Sequence, residues 1–398
     1  MGDLSLNSTF GIKVESDPLT FAAPNTTTDL ITCAELKATI QGLTADIKEF
    51  TGTIHRRGPV VLGSTIEISG KLLLRGPGGS TVPIADALVI GRILRAAGFT
   101  ESIVSAAVPV APEAVAAGGS TSSVTLGTTA TGTADLYKGK MIALSALGAG
   151  KAGLTMVKSN DAAKLAQLPE VAGGALTTGT WQLIKQIAYI FSNSAGPTLS
   201  SSVWLGKQRI DAGGLAVSSF KVNMPTSSKE GQDVPSIDFT LTGDIVTWAD
   251  DTAPVPAAAL AVPPFRDGKM WVANTQLGGS SFTIDFGMKV AFPPNPNRLT
   301  GSEPAQMVET TRKVDLTLNQ VPLATWNHVT QAQGQGYYSL YALWGLGVGN
   351  AFGLLVPEMR FNFRSPDNSG DFVTTTGEAY IDTADKAISL VFAFPSTF

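Results

Sequence analysis

Period-two alternation of apolar and polar residues recurs along this chain, in runs too long to suit anything but extended strands. Ile66, Ile68, Gly70, Leu72 and Leu74 fall on one side, while Thr65, Glu67, Ser69, Lys71 and Arg75 fall mostly on the other. Ile237, Phe239, Leu241, Gly243 and Ile245 oppose Ser236, Asp238, Thr240, Thr242 and Asp244. Phe282, Ile284, Phe286, Met288, Val290 and Phe292 oppose Thr283, Asp285, Gly287 and Lys289, and Val314, Leu316 and Leu318 oppose Lys313, Asp315 and Thr317. Ile388, Leu390, Phe392 and Phe394 alternate with small residues. Successive side chains on a strand point to opposite faces, so such runs predict antiparallel strands with one face on a core and one face wet. The fold class that follows is mainly β, built as sandwiches or barrels.

At 398 residues the chain is long enough for two domains, each with its own core. Charged residues make up only 15%, against about 25% in soluble domains, which fits a surface partly hidden in an assembly. The net charge of −4 leaves no basic footprint for gripping nucleic acid. Cys33 stands alone, and two histidines do not make a typical zinc site. The opening MGDLSLNSTFGIKVESD lacks a basic and an apolar signal region, so no secretory signal is expected. Tyr338 to Pro357 is strongly apolar and about the length of a membrane span, but Gly345, Gly347, Gly349, Asn350 and Gly353 suit a hairpin better.

Helices are few. Ile84 to Ala97 predicts the clearest one, with Pro83 in the first turn, Asp86 near the positive end, Arg92 and Arg95 near the negative end, and Gly98 as the stop. Its packing stripe is Ile84, Leu88, Gly91 and Leu94. A second helix is expected over Leu323 to Gln333, closed by Gly334. Asn160 to Leu168 and Thr180 to Phe191 are weaker candidates, the latter equally compatible with a strand. Gly118 to Gly132, Asp250 to Pro264 and Pro293 to Arg298 read as loops, and Ala166 to Gly179 as a candidate insertion. Strand, loop and helix recur in the two halves, which predicts tandem units over residues 1–196 and 197–398.

Chemistry finds little support. In LGAGKAGLT, Ser145 stands where a phosphate loop needs Gly, and Ala152 stands where it needs Ser or Thr after Lys151. Asp250 and Asp251 suit a turn. His55, Arg56 and Arg57 form a small basic spot near Lys48, Glu49 and Glu67, which favours a salt bridge between subunits over DNA contact. His328 has no partner at ligand spacing, and no histidine has a nominated nucleophile for a triad. The tryptophans Trp204, Trp248, Trp271, Trp326 and Trp344 are scattered, as core or interface aromatics are. No catalytic residue, cofactor or metal is assigned.

The strand TIEISGKLLLRG, a Gly-rich loop and the segment VPIADALVIGRILRAAGFTE (Val82 to Glu101) together resemble the tail tube (major tail) proteins of long-tailed bacteriophages. Ala97 stands where that family commonly carries Cys. A looser likeness runs through Ile210 to Met224, SIDFTLTGDIVTW and FTIDFGMKVAF, whereas Ser105 to Ser200 matches no part of the pattern. The resemblance implies a β-sandwich flanked by a helix, whose inner sheets join between subunits into a ring-shaped β-barrel. Rings stack into a hollow virion tube, assembled in the host cytoplasm, through which double-stranded DNA passes transiently and without sequence preference. Self-association is then the main partnership, with other tail proteins at the tube ends and no membrane. Three copies give a pseudo-hexameric ring if the chain is tandem; a plain hexamer stays open. Under this resemblance the lumen-facing candidates are the wet strand faces: Glu67, Ser69, Asp238, Thr240, Asp244, Thr283 and Asp285. A capsid decoration protein, a sheath-like protein or a β-sandwich carbohydrate-binding or adhesin module remain the alternatives.

Overall fold

The computed structural model describes residues 8–18, 20–45, 60–76, 83–86, 88–192, 194–226, 233–257, 260–298, 301–345, 350–368, 373–381 and 388–394. Strands dominate, and among the described residues no closed barrel is formed. The framework strands are β1 (Ser8–Val14), β2 (Glu35–Ala45), β3 (Val60–Leu73), β4 (Phe99–Val104), β5 (Gln186–Phe191), β6 (Leu199–Leu205), β7 (Gln208–Pro225) and β8 (Ser236–Asp250). They continue with β9 (Lys269–Val272), β10 (Gly279–Asp285), β11 (Arg312–Asn319), β12 (Tyr338–Gly345), β13 (Ala351–Phe361), β14 (Thr374–Ile381) and β15 (Ser389–Ala393). Two helices, α1 (Val89–Ala96) and α2 (His328–Gly334), complete it.

A front sheet runs β2–β3–β8–β7. There β7 forks: Gln208 to Leu215 pairs with β6, which leads to β1, while Lys221 to Pro225 pairs with β10, which leads to β11 and β14. A back sheet runs β4–β5–β15–β13–β12–β9. Strand β13 joins the two, because its end, Arg360 and Phe361, pairs with β14. All of these pairings are antiparallel. One core fills the space between the sheets, with Ile68, Phe220, Phe239, Ile284 and Leu316 from the front and Tyr189, Trp344, Phe352 and Phe392 from the back. Phe99, Phe191, Phe220 and Phe286 pack ring against ring at the fork, with centroids 5.2–5.9 Å apart.

The central strands of the back sheet, β5, β15, β13 and β12, are buried on both faces. Their second face, carrying Ala188, Tyr341, Leu343, Ala351, Leu355, Val391 and Ala393, is covered by Met141, Leu154 and Met156. Those residues belong to an inserted unit, residues 105–185, with two small sheets and its own core around Val124, Tyr137, Ile142, Leu168 and Trp181. The chain leaves the back sheet after Val104 and re-enters it at Gln186, and these two residues are cross-strand partners. A doubly buried strand needs apolar residues at every position. That explains why Tyr338 to Pro357 reads as a continuous apolar run: it holds β12 and most of β13. No helix among the described residues is long and apolar enough to cross a membrane. The insertion is wider than the Ala166 to Gly179 expected.

Several local expectations are corrected. Helix α1 starts at Val89, not Ile84, because Asp86 sits in the left-handed region at φ 59° and its carboxylate turns back to Arg92 and Arg95. Ile84 is therefore exposed and outside the packing stripe, while Leu88, Gly91 and Leu94 are buried as expected. Arg92 does not serve the helix end in solvent. It is buried, 2.9 Å from Asp29. Burial alone would raise the Asp29 carboxyl, but the Asn25 N–H and the Arg92 guanidinium hold it below its usual value. The second helix spans His328–Gly334, with Asn327 as its N-cap, and Thr180 to Phe191 forms two strands. The segment Asn160 to Leu168 is not helical; it holds the end of one short strand, Ser159–Asn160, and the whole of another, Leu165–Gln167. The run from Phe282 to Phe292 breaks at Gly287, φ 49°, so Lys289 leaves the front sheet for a separate hairpin. The division expected at 196/197 falls inside the shared framework, since β1, β3 and β5 pair with β6, β8 and β15 from beyond it.

Candidate functional site

The outer face of the front sheet gathers the polar halves of four alternating strands, β3, β8, β10 and β11. Register places Thr240 beside Ser69, Thr242 beside Glu67 and Asp244 beside Thr65. It places Asn223 beside Thr283 and Lys221 beside both Asp238 and Asp285. Glu67, Ser69, Asp238, Thr240, Asp244, Thr283 and Asp285 thus share one surface, each half-buried. Sequence patterning nominated them from three separate strands; the pairing brings them together. Lys71 is on the same face, while Arg75 lies past the end of β3 and donates to the Leu260 carbonyl at 3.3 Å.

Carboxylates outnumber cations there. Glu35, Glu67, Asp238, Asp244, Asp285, Asp315 and Glu378 stand against Lys37, Lys71, Lys221, Lys313 and Arg360. The contacts are mostly local. Lys221 lies 2.9 Å from Asp285. Lys313 lies 3.0 Å from Glu378 and 3.4 Å from Asp315. Asn223 Nδ2 donates to Asp238 at 2.7 Å, and Thr283 donates to Asn223 Oδ1 at 3.2 Å. The Tyr380 hydroxyl and then Lys313 hold Glu378 below the usual carboxylate value, whereas burial raises Asp244 against the pull of Arg298.

One row of this face is ordered by sign. Glu35 faces Lys71, Lys71 faces Asp238, Asp238 faces Lys221, Lys221 faces Asp285 and Asp285 faces Lys313. Tyr380 and then Arg360 complete it. Directly opposed residues have Cβ atoms about 4.5–5.5 Å apart, and opposite charges there stabilise a sheet. Sequence reading missed this row, because cross-strand register is invisible to it. At one end, β2 pairs only with β3 among the described residues, so its far edge carries no ladder partner.

Elsewhere the chemistry is structural. Asp251 accepts from Arg209 at 2.7 Å and from the Trp204 indole at 3.1 Å. LGAGKAGLT folds as two 3-10 turns leading into a short strand. Trp204, Trp326 and Trp344 are buried, Trp271 is half-buried and Trp248 is 57% exposed, so the indoles form no shared platform. Among the described residues no His, Cys, Asp or Glu group is placed to hold a metal ion. His55, Arg56 and Arg57 lie outside the described residues. Neither protein-family profiles nor curated proteins match this sequence.

Proposed function

We propose that this chain is a structural subunit that joins copies of itself through the front sheet, polar face inward, into rings that stack as a hollow conduit for double-stranded DNA. This is the role of a tail tube protein in a long-tailed bacteriophage. The observation that carries the reading is the front sheet itself: a broad antiparallel surface, polar across every strand, acidic on balance, with an open edge at β2. An open edge is a ready template for pairing with another chain. A surface with surplus carboxylates does not accumulate the phosphate contacts that make DNA binding tight, so a duplex can slide past it.

The ring size follows from the strand blocks. β2–β3–β8–β7 forms one four-strand block, and β10–β11–β14 with the end of β13 forms another. Two blocks per chain support three copies to a pseudo-hexameric ring. The insertion lies beyond the back sheet, on the far side of the core from the polar face. In the ring it therefore stands on the outer wall. Negative-stain images of the purified protein test the reading. Rings or tubes with an open centre are the expected result; a monomer at every concentration would exclude it.

A further inference from the structure

We propose that the cleft between the inserted unit and the edge of the back sheet binds a neutral saccharide, with Trp271 as the surface on which a sugar ring stacks. The site lies across the core from the polar face and does not depend on the ring reading. The cleft has a volume of about 580 Å³, within the roughly 300–1,000 Å³ usual for small-molecule sites. One wall belongs to the back sheet. On β9, Lys269 and Trp271 are two residues apart and share a face, the one that the insertion covers, while Met270 and Val272 enter the core. Ala273 and Asn274, at φ 50° and 61°, turn the chain tightly into the strand Thr275–Gln276 and set Gln276 directly opposite Trp271. Opposed residues lie on one face with Cβ atoms about 4.5–5.5 Å apart, so the Gln276 amide stands beside the indole.

The other wall comes from the insertion. The two 3-10 turns around LGAGKAGLT pack on each other so closely that a Cβ at Gly148 would stand 2.8 Å from that of Ala152. Lys269 anchors them: its ammonium donates to the Ala152 and Leu154 carbonyls and to the buried Glu170 carboxylate. Small residues, Ala146, Ala149, Ala152 and Gly173, keep the cleft open beside the half-buried indole. The three ammonium protons of Lys269 are thus engaged, whereas the Trp271 indole N–H and the Gln276 amide have no hydrogen-bond partner among the described residues. A pyranose ring carries C–H groups on its faces and hydroxyls around its rim. The indole face suits the first, and the free amide and N–H suit the second. Two carboxylates, Glu170 and Asp267, against Lys269 leave the lining acidic, which disfavours phosphates and acidic sugars.

Saturation-transfer NMR on the full chain tests the site, with glucose, galactose, mannose, N-acetylglucosamine, lactose and cellobiose as probes and with choline and glucose 6-phosphate as charged controls. At least one neutral sugar should give a saturable signal. Trp271→Leu, which keeps an apolar side chain on the sheet, should weaken that binding by about tenfold or more. Gln276→Ala, at an exposed position, should weaken it by roughly threefold to tenfold. Gly173→Phe fills the cleft from a position where a Cβ meets nothing within 4 Å, and should abolish binding with the fold kept. A panel in which no sugar gives a saturable signal overturns the proposal. So does a signal that survives unchanged in folded Trp271→Leu or Gly173→Phe. Binding of choline or glucose 6-phosphate alone also overturns it, because charge rather than stacking would then select the ligand. None of these failures touches the ring reading, which is read from images of the assembly.

Discussion

Gly91 shows how a single missing side chain positions an element. A Cβ at this position would stand 2.0 Å from the Tyr189 hydroxyl oxygen. That hydroxyl donates to Glu101 at 2.7 Å, so Tyr189 is held in place and α1 must come down onto it. Gly91→Ala should destabilise the protein by about 1–3 kcal/mol, the usual cost of overpacking a filled core. Urea unfolding midpoints measure it; an unchanged midpoint would mean that α1 shifts freely. The helical stripe read from the sequence includes Gly91 but does not reveal the ring it packs on. Ile84, nominated with it, fails because a left-handed Asp86 ends the helical pattern before the stripe reaches it.

The inserted unit is tied to the back sheet by one buried ion pair as well as by apolar contact. Lys269 Nζ on β9 lies 2.8 Å from Glu170 of the insertion and also donates to the carbonyls of Ala152 and Leu154, at 2.7 and 3.0 Å. Glu170 is 3% exposed. Removing one member of such a pair strands the other charge in a desolvated site. Lys269→Met should therefore cost about 3–5 kcal/mol, and Lys269→Met with Glu170→Met considerably less. Equal losses in the single and double variants, read from denaturant curves, would show that the two charges do not act as a pair. Neither residue stood out in the sequence, since a Lys and a Glu nearly a hundred positions apart carry no signature of contact.

For the whole molecule, the order of layers decides what can be removed. The polar face, front sheet, core, back sheet and insertion are stacked in that sequence, so the insertion covers an apolar surface. Gly353 on that surface has no room for a Cβ, with Met141 Cε 2.6 Å and Met156 Sδ 2.7 Å away from where it would sit. Each large apolar side chain uncovered there forfeits roughly 1.5–3 kcal/mol of burial. Replacing residues 105–185 with a short turn between Val104 and Gln186 should thus yield a chain that aggregates, as seen by size-exclusion chromatography. A soluble, monodisperse product would show that the insertion is a detachable ornament.

Strand alternation, the wet faces and the presence of a helix before Gly98 were all determined by the sequence itself, because side-chain period and helix stop signals are local properties of the chain. What only the tertiary structure decided is non-local. It paired strands from the two halves, turned residues 105–185 into a third layer, and buried the central strands of the back sheet on both faces, which makes a run that resembles a membrane span into β12 and β13. It also set the register that lines Glu35, Lys71, Asp238, Lys221, Asp285 and Lys313 into one row of alternating sign. Register is fixed by which strands meet and by the bulges between them, and a shift of one residue would send every one of those charges to the opposite face.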